Sequence, residues 1–156
     1  MVIQRIQTLY LLGASLLMAL AFFLPTALLT TEAGTAVFRF YELTGADGVV
    51  EQVPSYLMFL TLLTIALPLY IIFRYKNRLH QIRFCVVAMI LEVGVLLLSG
   101  LYCYRLYTLF NAAYEAFAFE IRWPLLCPLV ALLFTWLAMR AIFKDEMLVR
   151  AADRIR

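Results

Sequence analysis

Four apolar stretches, at about 8–29, 54–73, 84–104 and 124–143, divide this 156-residue chain. A helix of about 20 residues, rising about 1.5 Å per residue, crosses roughly 30 Å of hydrocarbon. No other feature constrains the fold as strongly. Backbone polar groups in lipid must be satisfied by the protein itself, which leaves helices or a closed barrel. Barrel strands would read as short alternating segments, whereas these runs are long and continuously apolar. With 65% hydrophobic and 15% charged residues, a water-soluble domain of this length would have no interior large enough for its apolar surface. The sequence predicts an all-α membrane protein, a bundle of four transmembrane helices, as a single domain.

Orientation follows from the basic residues. Arg5 precedes the first run, Arg74, Lys76, Arg78 and Arg83 lie between the second and third, and Arg140, Lys144, Arg150, Arg154 and Arg156 close the chain. These ten face only Arg39, Arg105 and Arg122 on the other side, where Glu32, Glu42, Asp47, Glu51, Glu115 and Glu120 also fall. Both termini and the middle loop are therefore expected in the cytosol. The first run is too long for a signal peptide, and no small-x-small cleavage site follows it. It reads as an uncleaved helix. The basic inner face suits anionic lipid. Nucleic acid would need a larger basic domain, so the lipid bilayer is the expected partner of that face.

The segments between the runs have their own patterning. Residues 35–43 are rich in β-branched and aromatic types, Thr44-Gly45-Ala46-Asp47-Gly48 has turn composition, and Val49 to Val53 is again strand-like. This predicts a β-hairpin over 35–53. Phe117, Phe119, Ile121 and Trp123 alternate with polar or small residues, the period of a half-buried strand. Tyr107, Phe110 and Tyr114 recur at helical spacing, so the third helix is expected to run on to about residue 114. The expected result is a small three-stranded sheet capping the outer end, its third strand supporting a hairpin that would be marginal alone. The layout resembles that of claudin-type tetraspan proteins, but the paired loop cysteines and Trp motif of that group are absent, so the likeness implies architecture alone. Phe38, Phe40 and Tyr41 in the hairpin are candidate partner-binding residues.

Within the spans one residue stands apart. Glu92 is the only acid in a predicted span, roughly 13 Å from the start of the third run. An ionisable residue at that depth faces the bundle interior or a cavity. It is either a polar clasp to another helix or a proton or cation relay; the clasp is the plainer reading, because a transport path lines itself with several polar groups. Arg140 is the first candidate partner, with Gln7, Tyr10 and Arg5 as alternatives. Pro54, Pro124 and Pro128 sit at helix starts. Pro68 lies inside the second helix, deprives the carbonyl of Thr64 of its partner and should kink the helix there.

Catalytic and metal chemistry have little to stand on. Cys85, Cys103 and Cys127 form no C-x-x-C, so a dithiol oxidoreductase is not indicated. Cys103 and Cys127 both fall near the outer ends of their helices, where matched depths would allow a disulfide; two buried small apolar residues is the plainer reading. No His, Cys or carboxylate set has metal-ligand spacing, and the lone His80 lies in the basic loop. No metal or cofactor is expected.

Residues 144–156 continue as a helix with Leu148, Ala151, Ala152 and Ile155 on one stripe. That tail lies on the inner leaflet or docks a partner through Arg150 and Arg154. The opening Ile3-Gln4-Arg5-Ile6-Gln7-Thr8-Leu9-Tyr10 and the closing Lys144-Asp145-Glu146, Leu148-Val149-Arg150 and Asp153-Arg154-Ile155-Arg156 resemble the two ends of an uncharacterised domain-of-unknown-function family of four-helix inner-membrane proteins from Bacteroidota. The resemblance implies four helices and an inner-membrane location, and brings no activity or cofactor. Two functions are carried forward. One is a non-catalytic accessory or scaffold subunit that binds another membrane protein or itself. The other is a small transporter or channel, alone or as an oligomer, with Glu92 as the proton or cation relay.

Overall fold

A computed structural model describes residues 2–32, 34–45, 47–74 and 77–153. Helix α1 (Val2–Phe23) ends at Phe23 rather than near residue 29. Pro25 is the cause: it has no N–H to give and it steers Leu24 away from helical angles. The Leu24 amide still reaches the Leu20 carbonyl at 3.0 Å, closing the last turn. The chain then folds back as strand β1 (Ala27–Thr31). Ala27 and Leu29 are buried, so the strand reads as a continuous apolar run and passes for a helix end in the sequence.

This correction changes the sheet. Among the described residues it has five strands, not three: β1, β2 (Gly34–Phe38), β3 (Leu43–Thr44), β4 (Val50–Gln52) and β5 (Ala118–Ile121), in the spatial order β4-β3-β2-β1-β5. All neighbours are antiparallel. Strand β1 pairs with β2 on one side and with β5, from the second loop, on the other. The expected single hairpin over 35–53 is in fact two turns. The first interrupts the long strand at Arg39–Glu42, where the Arg39 amide donates to the Glu42 carbonyl at 2.8 Å and the side chains form an ion pair at 2.6 Å. The second is the expected glycine turn, with Gly45 N donating to Val49 O at 2.8 Å. Gly48 there has φ of 73°, a left-handed conformation that costs glycine nothing and other residues about 1–2 kcal/mol.

Helix α2 (Ser55–Phe73) follows Pro54. Helix α3 (Arg78–Ala113) has 36 residues, about 54 Å at the usual rise, and outruns any bilayer core of roughly 30 Å. Its overhang is tied to the sheet by rings: Tyr107 lies 5.6 Å from Phe117 and 5.8 Å from Phe119. A short 3-10 turn at Trp123–Leu126, with Pro124 in it, leads into α4 (Cys127–Asp153). The expected tail is thus an unbroken continuation of α4 as far as Asp153. Helices α1, α2, α3 and α4 are each long and apolar enough to cross a membrane.

The helices form a closed ring in which α1 packs on α2 and α4, and α3 packs on α2 and α4. Two apolar clusters fill it. The cluster at the sheet end takes Ala14, Met18 and Ala21 from α1, Leu57 from α2, Val95 and Cys103 from α3 and Ala131 from α4, and continues without a break into Ala27, Leu29, Ala36, Phe38, Phe40 and Leu43 of the sheet layer. The cluster at the other end holds Leu11, Ile71, Cys85, Ala88, Ala138 and Ile142.

Candidate functional site

Between the two apolar clusters lies a layer of polar side chains. Along α3 the order is Ala88, Glu92, Val95; along α4 it is Ala138, Thr135, Ala131. In α2, Thr61, Thr64 and Pro68 fall between Leu57 and Ile71, and Ser15 sits beside Ala14 on α1. Each of these polar side chains is buried. Gly94 of α3 is level with Leu60 of α2, where an added Cβ would meet Leu60 Cδ2 at 3.4 Å, so Thr61 and Thr64 stand near the height of Glu92.

Glu92 is 1% exposed. Its Oε1 accepts a hydrogen bond of 2.8 Å from Thr135 Oγ1 on α4, while Oε2 has no hydrogen-bond partner among the described residues. The predicted clasp partner, Arg140, is elsewhere. Its guanidinium lies 5.6 Å from the centre of the Trp136 ring, more than a helical turn nearer the end of α4 than Thr135. The physical reason is rotation: Arg140 and Trp136 lie one turn apart on the exposed face of α4, whereas Thr135 is on the buried face that meets α3. Thr135 could have been found in the sequence, since it is the one hydroxyl in the fourth apolar run, but its register against α3 could not.

Gln7 is also buried, and its Nε2 lacks a partner among the described residues; no contact joins it to Glu92. Near Pro68, where the sequence predicts a kink, lies a contact that sequence reasoning missed. Ser15 Oγ of α1 donates at 3.0 Å to the carbonyl of Ile65 on α2, the residue next to the Thr64 carbonyl that Pro68 leaves without its N–H. Thr61 and Thr64 bond within their own helix, to Leu57 O and Thr61 O, each at 2.7 Å. At the end away from the sheet, Gln81 Nε2 donates to Ile71 O at 3.0 Å and closes α3 onto α2.

The other predicted residues are placed as follows. Phe38 and Phe40 are fully buried in the joint between sheet and bundle, so they are core residues and not a partner surface; Phe38 closes β2 and Phe40 lies in the turn that follows it. Tyr41 is half-buried with its ring 5.1 Å from Phe22. Cys103 and Cys127 are buried free thiols, as is Cys85, so the disulfide is not formed. Arg150 belongs to α4, but its side chain, like that of Arg5 and all of Arg154, lies outside the described residues. Among the described residues no His, Cys and carboxylate set is grouped for a metal. An open groove of about 450 Å³ at the end opposite the sheet is lined by Asn77, Arg78, Leu79, His80, Glu146 and Val149, and Arg78 there pairs with Asp145 at 3.3 Å.

Chemically, the layer offers one carboxyl group, hydroxyls and a helix interrupted by a proline, enough to lock helix register or to hold one exchangeable proton. It contains no nucleophile paired with a base. Comparison with curated proteins finds no match. Residues 3–155, nearly the whole chain, match a family described as Domain of unknown function (DUF4293), and the chain belongs to that family.

Proposed function

We propose that this chain is a non-catalytic, multi-pass protein of the bacterial inner membrane, with both termini in the cytosol, that serves as an accessory or scaffold subunit for another membrane protein. The observation that carries this reading is the unbroken apolar core from bundle to sheet, in which Met18 and Ala21 of α1 share one cluster with Leu29, Phe38 and Phe40 of the sheet layer. A sheet so anchored is held rigidly at one end of the molecule. Its outermost strand β4 is exposed at all three residues, and an open strand edge is a ready template for another chain. Orientation rests on the distribution of Lys and Arg. Purification of the tagged protein in mild detergent, with mass spectrometry of what accompanies it, tests the reading. A reproducible membrane-protein partner lost on substituting Val50 and Gln52 by proline is expected; a protein that emerges alone and monodisperse overturns it.

A second reading, a small transporter or channel, is favoured by the unpartnered Oε2 of Glu92 inside the bundle. Reconstitution in liposomes separates the two. Proton or solute flux that Glu92→Gln abolishes, with folding intact, would establish transport. Flux indistinguishable from empty liposomes would exclude it.

A further inference from the structure

The edge of the sheet formed by β5 is built to meet itself. The Arg122 amide donates to the Thr26 carbonyl at 2.9 Å, so the backbone of Arg122 faces β1. Facing alternates along an antiparallel ladder, so Glu120 also turns its amide and carbonyl to β1, while Phe119 and Ile121 turn theirs outward. Strand β5 ends the sheet on that side. The side chains of Glu120 and Arg122 share one face, paired with each other at 3.0 Å and both well exposed. Ile121 and Trp123 are each 59% exposed.

We propose that two copies of this chain pair edge to edge through β5, about a two-fold axis at Ile121, to make one continuous sheet. That axis sets Ile121 against its own copy, Phe119 against the second copy's Trp123, and Glu120 against the second copy's Arg122, twice over. The outward amides and carbonyls of Ile121 then bond to their counterparts. Opposite charges facing across strands are favourable, and like charges are not. An axis at Glu120 would set two carboxylates opposite, and one at Arg122 two guanidinium groups, so charge selects the register. An isologous two-fold contact is the commonest way in which a chain pairs with itself. The pairing does not rest on the accessory reading above: it uses β5, at the opposite edge from β4, and needs no other protein.

The test is oxidative crosslinking of Ile121→Cys in the full-length protein in liposomes, where the native thiols are buried. Facing residues of such a pair have Cα atoms about 5.5 Å apart, within disulfide reach. Expected is a disulfide-linked dimer that forms at high lipid dilution, with Val50→Cys on the other edge staying monomeric. Added to Ile121→Cys, either Glu120→Arg or Arg122→Glu alone should lower dimer yield about tenfold. An equal mixture of those two variants should restore it, as mixed dimers. Crosslinking of Ile121→Cys no faster than that of Val50→Cys, or yields indifferent to both charge reversals, would overturn the proposal.

Discussion

Thr135 Oγ1 gives its hydrogen to Glu92 Oε1 at 2.8 Å, and this contact joins α4 to α3 at the boundary between two apolar cores. The pairing makes a prediction about stability that a lone buried carboxyl does not. Thr135→Val keeps the shape and removes the donor, leaving the carboxyl without a partner on either oxygen. Such a loss costs about 1–3 kcal/mol. Replacing both partners, as Glu92→Leu with Thr135→Val, should recover most of that, because apolar pairs of similar volume substitute well for buried polar ones. Denaturant titration in detergent across the four proteins of the cycle measures it. Strictly additive effects would show that the contact is not coupled.

Pro68 in α2 gives a second prediction. Ser15 supports the carbonyl of Ile65 just where Pro68 opens the helix. Ser15→Ala should cost about 0.5–1.5 kcal/mol in the native chain. In a Pro68→Ala background, where the helix can close its own ladder, the same substitution should cost measurably less. Thermal unfolding of the four proteins in one detergent shows whether the two sites interact. An equal cost in both backgrounds would mean that Ser15 does not compensate for Pro68.

How far the fold was legible depends on which interaction sets each element. The helices were readable because lipid imposes one solution on a long apolar run. The glycine turn at Gly45–Gly48 was readable because a positive φ demands a particular residue. Strand β1 was not, since Ala27, Leu28 and Leu29 extend the apolar run of α1 and only Pro25 marks the break. In the polar layer Glu92 was conspicuous by charge alone. Its partner was not, because a choice between Thr135 and Arg140 turns on the rotation of α4, which sequence spacing leaves open by a full turn.

The reassignment of β1 has a measurable consequence. Leu29 is fully buried at the junction of sheet and bundle, whereas Leu16, in the part of α1 long and apolar enough to cross a membrane, is 57% exposed. Leu29→Ala should destabilise by about 2–4 kcal/mol through lost packing and the cavity left behind. Leu16→Ala faces only lipid or detergent and should cost about 0.5 kcal/mol or less. Were residues 27–29 the last turn of a lipid-facing helix, both would behave alike. Melting temperatures of the two variants decide it.

Topology can be read with a single reagent, because the native cysteines are all buried and two exposed loop ends lie at opposite ends of α2. Asp47 sits in the glycine turn beyond β3, and His80 in the first turn of α3. Between them α2, of 19 residues, is about 28 Å long, the thickness of one bilayer core. With both termini cytosolic, Asp47→Cys should react with a membrane-impermeant maleimide in cells whose outer membrane has been opened. His80→Cys should react only after the inner membrane is lysed. The charge asymmetry makes this direction the expected one, since basic residues resist translocation while acidic ones contribute little. Labelling of His80→Cys alone would invert the molecule, place the sheet in the cytosol and overturn the orientation given in the proposed function. Labelling of both before lysis would mean that α2 does not separate two compartments.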